Sequence, residues 1–371
     1  MRILYVITDL NEGGAENALG QIAMGLSSAG HLVRVVCLFG GDGDVAVRLR
    51  SSQIPVDCIG CERSWQILRL RRLSRIIREF RPDIIHSWLF HANLACRLLA
   101  PRHIPITAGL RVVEPRKSHI LLDRWTRGRV ARYICVSPEV AAFACDIMSI
   151  SPDQCDIIEN GIDVDAFQAA RGCERQLDAI RGLSVARVTE QKGLDILIRG
   201  LARLPDDIVW TWRFVGSMPD RRYAGQLRDL AETLKISDRI EWCGAVSRPE
   251  IVRFYAESNL FALPSRWEGQ PNVVFEAMAA GVPVIAASSS GIADVAAAAP
   301  QALYVVADNR PDAWCTGIME SRRHPERVEQ QIQAASNVVS TRTWARAVSQ
   351  HLALYGDVLG DGSVVRSHEM V

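Results

Sequence analysis

Residues 259–288 read NLFALPSRWEGQPNVVFEAMAAGVPVIAAS. The apolar run at the start has the length of a strand, and RWEGQPN, with Gly269 and Pro271, reads as a loop. VVFEAMAA reads as a buried helix that Gly281 ends, and Pro283 opens a second strand, PVIAAS. Strand, loop, helix and strand in this order make one crossover unit of a parallel sheet. Two carboxylates sit unusually in it, eight positions apart: Glu268 in the loop and Glu276 inside the otherwise apolar helix. The amides of Asn272, Val273 and Val274 open that helix, and first-turn amides without intrahelical partners suit an anion.

The same rhythm runs through the rest of the chain. RILYVIT, LVRVVCLF, DIIHSW, PITAGL and RYICVS are candidate strands of the first part, with amphipathic stretches at 16–29 and 65–80 between them. LSVARV, TWRFVG, RIEWCG, NLFALP and PVIAAS repeat the pattern in the second part. This predicts an α/β protein of two doubly wound, Rossmann-like domains. The expected division is 1–170 and 171–338, with the linker in GCERQLDAIRG at 172–182. A helix at 339–357 is expected to return to the first domain, and 358–371 to form a disordered tail.

A length of 371 residues allows two buried cores, and a net charge of +1 speaks against a general nucleic-acid binder. Ten cysteines are scattered along the chain, and only Cys58 and Cys61 form a CxxC, with no second pair to complete a zinc site. The reading is a reduced, cytoplasmic chain without a metal. MRILYVITDL is too short for a secretory signal, and the charge-poor run at 277–299 is broken by Pro283 and Asp294, so no membrane-spanning helix is expected.

Ligands of open parallel sheets lie beyond the carboxyl ends of the strands, and with two such domains the expected site is the cleft between them. In TDLNEGGAENAL, Gly13 and Gly14 follow the first strand and permit close backbone approach at a helix start. This is not GxGxxG, and Arg34 lies near the end of the next strand where a ribose-binding acid would be needed, so a nicotinamide cofactor is not expected. In SVARVTEQKGLDILIRGL, Arg187 and Lys192 flank a loop between strand and helix and suit a diphosphate. The chain has 40 arginines and three lysines, so a lysine at 192 runs against its habit. Glu276 could bind a ribose diol, and Glu268 could meet sugar hydroxyls or a developing positive charge. A plain turn at the paired glycines and solvated surface charge at the other positions remain the alternatives.

PSRWEGQPNVVFEAMAAGVPVIAA resembles the E-x7-E segment of glycosyltransferase family 4, retaining enzymes with the two-domain GT-B fold. ARVTEQKGLDILI resembles that family's phosphate-binding Arg/Lys loop, and IIENGIDVDAF, with Asn160 and Asp163, resembles its interdomain stretch. The resemblance implies that Arg187 and Lys192 hold the diphosphate of a nucleotide-sugar donor, stabilising it as leaving group. It implies that Glu276 binds ribose and that Glu268 contacts the transferred sugar. Amides around Asn272, Val273, Val274 and Gly14 would add to the phosphate cradle, and Gly216 and Val246 would border the nucleotide. The family generally needs no metal, and no DxD-like pair follows a strand here. Many relatives carry a sugar-facing histidine in the first domain, where this chain has ITAGLRVVE and thus Arg111. Arg111 and His91 of SWLFHANLA become the acceptor-side candidates; a helix-start polar residue is the other reading of His91.

The span 60–135 holds 16 basic and five acidic residues, and RSWQILRLRRLSRIIREF within it is an amphipathic basic helix with Trp65, Leu68, Leu73, Ile76 and Phe80 available for burial. It is either a core-packed helix with a solvated arginine face or a surface drawn to an anionic membrane. The resulting expectation is a retaining hexosyltransferase that needs no cofactor. It moves a hexose from a nucleoside-diphosphate sugar, most readily UDP-linked, to a hydroxyl of a lipid-linked or envelope glycan. The alternatives are a GT-B-type nucleotide-sugar epimerase or hydrolase, and a non-catalytic sugar-nucleotide-binding protein.

Overall fold

The computed structural model describes all residues except 12, 41–42, 62–66, 115, 173–178, 289 and 361–371. The chain forms two compact units, Met1–Gly161 with Trp344–Val371, and Ile162–Thr343.

In the first unit β1 (Arg2–Ile7), β2 (Leu32–Cys37), β3 (Val56–Cys58), β4 (Ile84–Trp88), β5 (Ile106–Leu110), β6 (Arg132–Cys135) and β7 (Cys155–Ile157) form one parallel sheet, ordered β3-β2-β1-β4-β5-β6-β7. Side chains alternate across a strand, so β1 feeds both faces. Ile3, Tyr5 and Ile7 pack with the Gly14–Ser28, Asp44–Ser51 and Trp344–Leu359 helices. Leu4 and Val6 pack with the Arg71–Phe80 and Phe90–Leu99 helices.

The second unit repeats the plan with β8 (Ile180–Val185), β9 (Trp210–Val215), β10 (Ile240–Gly244), β11 (Leu260–Leu263), β12 (Val284–Ala287) and β13 (Tyr304–Val306), ordered β10-β9-β8-β11-β12-β13. Val284 and Ala286 of β12 join one core layer, and Ile285 and Ala287 the other. Such a sheet has a point where strand order reverses, between β1 and β4 in the first unit and between β8 and β11 in the second. Loops leave that point to opposite faces and open a crevice.

The α/β expectation holds for both units. All ten expected strands are present, while β3, β7 and β13 were not anticipated; each is three residues long and each lies at a sheet edge. The unit boundaries differ from the expected 170/171 and 338/339. Phe167 is fully buried and meets Tyr255 edge-to-face at 5.5 Å, while Ile162 bridges to Thr343, which ties 162–170 to the second unit. Of the expected linker, 173–178 lies outside the described residues, and Ile180–Gly182 belongs to β8 rather than to a connector. The tail beyond residue 360 and Trp65 also lie outside them; residues 358–359 end the last helix. In the basic helix, Leu73, Ile76 and Ile77 are buried, while Arg71, Arg72, Arg75 and Arg78 are exposed.

The Trp344–Leu359 helix closes the first unit through close packing and a buried polar cluster. A Cβ on Gly25 would come within 2.5 Å of Val348, so only glycine allows this approach of two helices. The Tyr355 hydroxyl bonds both Tyr5 (2.8 Å) and His86 Nδ1 (2.6 Å) inside the sheet, and His351 Nδ1–H donates to the Ala347 carbonyl. Burial holds both histidines in the neutral form, pulling His86 well down and His351 down to about 4. A group depressed in the fold lends stability above its unfolded value and loses it as pH falls through its folded value. The first unit is therefore expected to lose on the order of 3 kcal/mol from His351 between about pH 6.5 and 4. Thermal unfolding of wild type and His351→Asn across this window measures it, and the variant should show the shallower acid slope.

Candidate functional site

In the second unit the loops after β8 and β11 meet. Gly193, at φ +61°, sits so close to the Pro264 carbonyl that a Cβ there would lie 2.2 Å from the oxygen. Arg266 then grips Asp195 with both ends of its guanidinium (3.0 and 2.9 Å), and the Tyr223 hydroxyl donates to the same carboxylate at 2.9 Å. The Arg266 amide donates to the Gln191 carbonyl (2.8 Å), Gln191 Nε2 to the Trp267 carbonyl (3.0 Å), and Asn309 Nδ2 to the Pro264 carbonyl (3.0 Å). A planar fork on a carboxylate fixes orientation as well as distance.

This stitching delivers Lys192 to Glu268. Their ion pair measures 2.5 Å, both groups are largely shielded, and Ser265 Oγ donates to the same Glu268 oxygen at 2.6 Å. The two residues expected to hold diphosphate and sugar separately are thus paired with one another. Arg187, two residues beyond the end of β8, is exposed and without an ion-pair partner among the described residues. Gly216 packs against the start of this loop: at φ +145° its Cβ would lie 2.1 Å from the Ala186 carbonyl and 3.2 Å from the Arg187 amide. Val246 is half-buried and packs on the core just before the Arg248–Glu257 helix, which Ser247 and Glu250 cap reciprocally.

The helix after β11 runs Asn272–Ala279. The amides of Asn272 and Val274 are not open donors as expected: they go to the Gln270 and Pro271 carbonyls at 3.1 and 3.0 Å, because the entering loop curls back under the helix. Among the described residues, no acceptor takes the Val273 amide. Glu276 is half-buried and accepts from the Tyr255 hydroxyl at 3.2 Å; that hydroxyl also lies 3.0 Å from the Val273 carbonyl. Burial raises the Glu276 carboxyl, and the Arg248 cation and the Tyr255 bond counter only part of the rise. Ser265, Tyr255, Arg248 and the Arg266–Asp195 fork were not anticipated, and no spacing in the sequence links them.

In the first unit Gly13 is extended at φ −177°, and the Glu16 carboxylate folds back so near that a Cβ on Gly13 would lie 2.1 Å from its oxygen. The start of the Gly14–Ser28 helix thus carries its own carboxylate where a phosphate was expected. His91 is half-buried, edge-on to Phe39, Phe90 and His119, and burial lowers its pKa. His86 lies inside β4, where its Nδ1 meets the Tyr355 hydroxyl. Arg111 is 7% exposed, bonds the Asn160 amide oxygen through Nη2, and stacks over Trp88 at 4.5 Å. The motif residue Asn160 is therefore a partner of Arg111, a link that no spacing in the sequence shows.

A carboxyl raised in the fold stabilises below its unfolded value and loses that contribution as pH rises. Glu276→Gln is accordingly expected to raise the melting temperature of the second unit near pH 8, by ~2–4 °C for each kcal/mol relieved, with the gap closing toward pH 4. Differential scanning calorimetry at both pH values measures it.

Residues 175–338 match the family described as Glycosyl transferases group 1, and residues 12–166 match Glycosyltransferase Family 4. An uncharacterized glycosyltransferase of Methanocaldococcus jannaschii is 26% identical over 280 residues, 69% of this chain and 70% of that protein. D-inositol 3-phosphate glycosyltransferase of Mycolicibacterium gilvum is 32% identical over 221 residues, 57% of this chain and 48% of that enzyme. The crystal structure of Anabaena HepE in complex with UDP and glucose superposes with a TM-score of 0.82 at 20% identity, covering 95% of this chain and 98% of that one. The two sheets with their alternating helices are those of the GT-B fold, and the chain belongs to the group 1, family 4 glycosyltransferases.

Proposed function

We propose that the protein is a retaining hexosyltransferase using a nucleoside-diphosphate sugar, UDP-linked, with the donor held by the second unit. The observation that carries this reading is the pairing of Lys192 with Glu268 in the loops beyond β8 and β11, where the strand order reverses, with Arg187 in the same loop after β8. The complex of Anabaena HepE with UDP and glucose supports the choice of nucleotide.

The chemistry follows from the charges. Donor cleavage breaks the bond between the anomeric carbon and the β-phosphate oxygen, and the electron pair stays on that oxygen. Arg187 and Lys192 stabilise the departing diphosphate, each charge-assisted bond contributing about 1.5–3 kcal/mol. Lys192 turns from Glu268 toward the diphosphate as it binds, which frees the Glu268 carboxylate for hydroxyls of the sugar. The acceptor oxygen forms its bond to the anomeric carbon on the face the diphosphate leaves, and its proton passes to the departing phosphate oxygen. Glu276 takes the ribose hydroxyls, with Tyr255 setting its orientation, and Gly216 and Val246 border the nucleotide. The residues assigned here need no metal for these roles.

The acceptor is proposed to be a lipid-linked glycan reached at the inner membrane face. No helix among the described residues is long and apolar enough to cross a membrane. On the Lys117–Thr126 helix, however, Leu121 and Trp125 are 67% and 82% exposed, one helical turn apart. Lys117, Arg124 and Arg127 stand exposed around them, an apolar anchor within a cationic rim. This patch, rather than the apolar side of the 71–80 helix, supports membrane contact, since Leu73, Ile76 and Ile77 are buried in the core.

Lys192→Ala and Glu276→Ala are expected to cut turnover of a UDP-hexose at least 100-fold, about 2.7 kcal/mol of lost transition-state binding. Near-normal turnover in either would discredit the donor assignment. Incubation with donor alone should leave it nearly intact; rapid release of free hexose would make the protein a hydrolase. Co-sedimentation with phosphatidylglycerol vesicles should fall several-fold in Leu121→Ser/Trp125→Ser and at high salt, while phosphatidylcholine vesicles should bind weakly throughout.

A further inference from the structure

A cavity of about 240 Å³ opens at the carboxyl ends of β1, β4 and β5 in the first unit, lined among others by Thr8, His91, Asn93, Arg111, Glu114 and His119. One wall is flat: the His119 and Phe90 rings stack at 3.6 Å, 3° from parallel. Three buried polar atoms on its lining residues have no hydrogen-bond partner among the described residues, namely Thr8 Oγ1, Asn93 Oδ1 and Arg111 Nη1. Asn93 and Arg111 are 2% and 7% exposed, so bulk water does not readily serve these atoms. Orphaned buried polar atoms are uncommon in folded proteins and call for an explanation.

The charges lining the cavity are unevenly matched. Glu114 accepts from His119 Nδ1 (3.0 Å) and from the Arg116 amide (2.9 Å), and Asp123 takes Arg97 at 2.5 Å. The direct contacts of Arg111 are the neutral Asn160 amide and the face of Trp88, while the Glu16 carboxylate acts on it from a distance and offsets only part of the burial. Among the described residues no carboxylate forms an ion pair with it. A buried guanidinium without an ion-pair partner is costly, and burial pulls Arg111 down to about 9 against the weaker opposing charge of Glu16. A fold that keeps such a group beside an accessible cavity gains when an anion enters.

We propose that this pocket receives the acceptor through an anionic group, a phosphate or a carboxylate, bound by the free edge of the Arg111 guanidinium. Thr8 and Asn93 then accept from hydroxyls of the same sugar, and the Phe90–His119 face packs against its ring. The acceptor is an acid-bearing sugar rather than a neutral one. The inference rests on the transferase reading above and assigns the substrate class of its second site.

The test is calorimetric binding to the full chain saturated with UDP, with α-glucose 1-phosphate, glucuronate and glucose as probes. At least one anionic probe should bind about tenfold more tightly than glucose, and Arg111→Gln should erase that advantage with UDP affinity held within about twofold. The tighter of the two anions distinguishes phosphate from carboxylate. Asn160→Asp supplies a built-in counterion at the atom already accepting from Arg111. It should raise the melting temperature and weaken the anionic probe about tenfold, leaving glucose unchanged. Equal binding of all three probes, no binding of any, or an anion preference that survives Arg111→Gln with UDP binding intact would overturn the proposal. Failure of UDP itself to bind would instead remove the donor assignment and leave the anion result to be judged by Arg111→Gln alone.

Discussion

The two-point grip of Arg266 on Asp195 is the contact on which the chemistry of the second unit depends. Two loops leave adjacent strands, β8 and β11, and nothing in their own sequences would hold them in register. The guanidinium fork, the Tyr223 hydroxyl beneath it and the close pass of Gly193 under the Pro264 carbonyl fix one arrangement. Lys192 and Glu268 meet because of that arrangement, and Ser265 keeps the carboxylate from rotating away. With the backbone of both loops fixed in this way, only the Lys192 side chain has to move when a substrate arrives.

The two units handle charge in opposite ways. In the second, the ammonium of Lys192 is neutralised by a carboxylate, so the ligand-free protein carries no buried excess there. In the first, Arg111 leans on an amide and an aromatic face. A compensated pair gives up one partner on binding and so releases a second group for use. A buried cation without a direct ion pair carries its desolvation cost before any ligand appears, which makes binding of an anion correspondingly more favourable.

Much of this was legible from the residues. The strand–loop–helix–strand stretch at 259–288 announced parallel sheets, since its apolar runs are long and its breakers, Gly281 and Pro283, fall at the right places. The three edge strands were silent because three residues carry too little periodicity, and two of them, Val56–Cys58 and Cys155–Ile157, hold an aspartate at the centre. Lys192, Glu268 and Arg187 stood out by residue type and spacing. The pairing of Lys192 with Glu268 did not, because a spacing of 76 residues says nothing about contact. The same holds for Arg111 with Asn160 and for Tyr255 with Glu276. The amides at 272 and 274 misled for another reason: helix geometry leaves first-turn donors free in general, whereas the path of the preceding loop decides each case.

The first unit is discontinuous in the chain, and its closing helix, Trp344–Leu359, comes after the whole of the second. That helix supplies the Tyr355 hydroxyl that satisfies Tyr5 and His86 at the centre of the first sheet, and the surface that fits over Gly25. During synthesis the amino-terminal sheet must therefore wait, with one flank uncovered, until some 180 intervening residues have left the ribosome. The later-made half can complete itself first, and a nascent chain halted before residue 344 would display a bare apolar flank for chaperones to recognise.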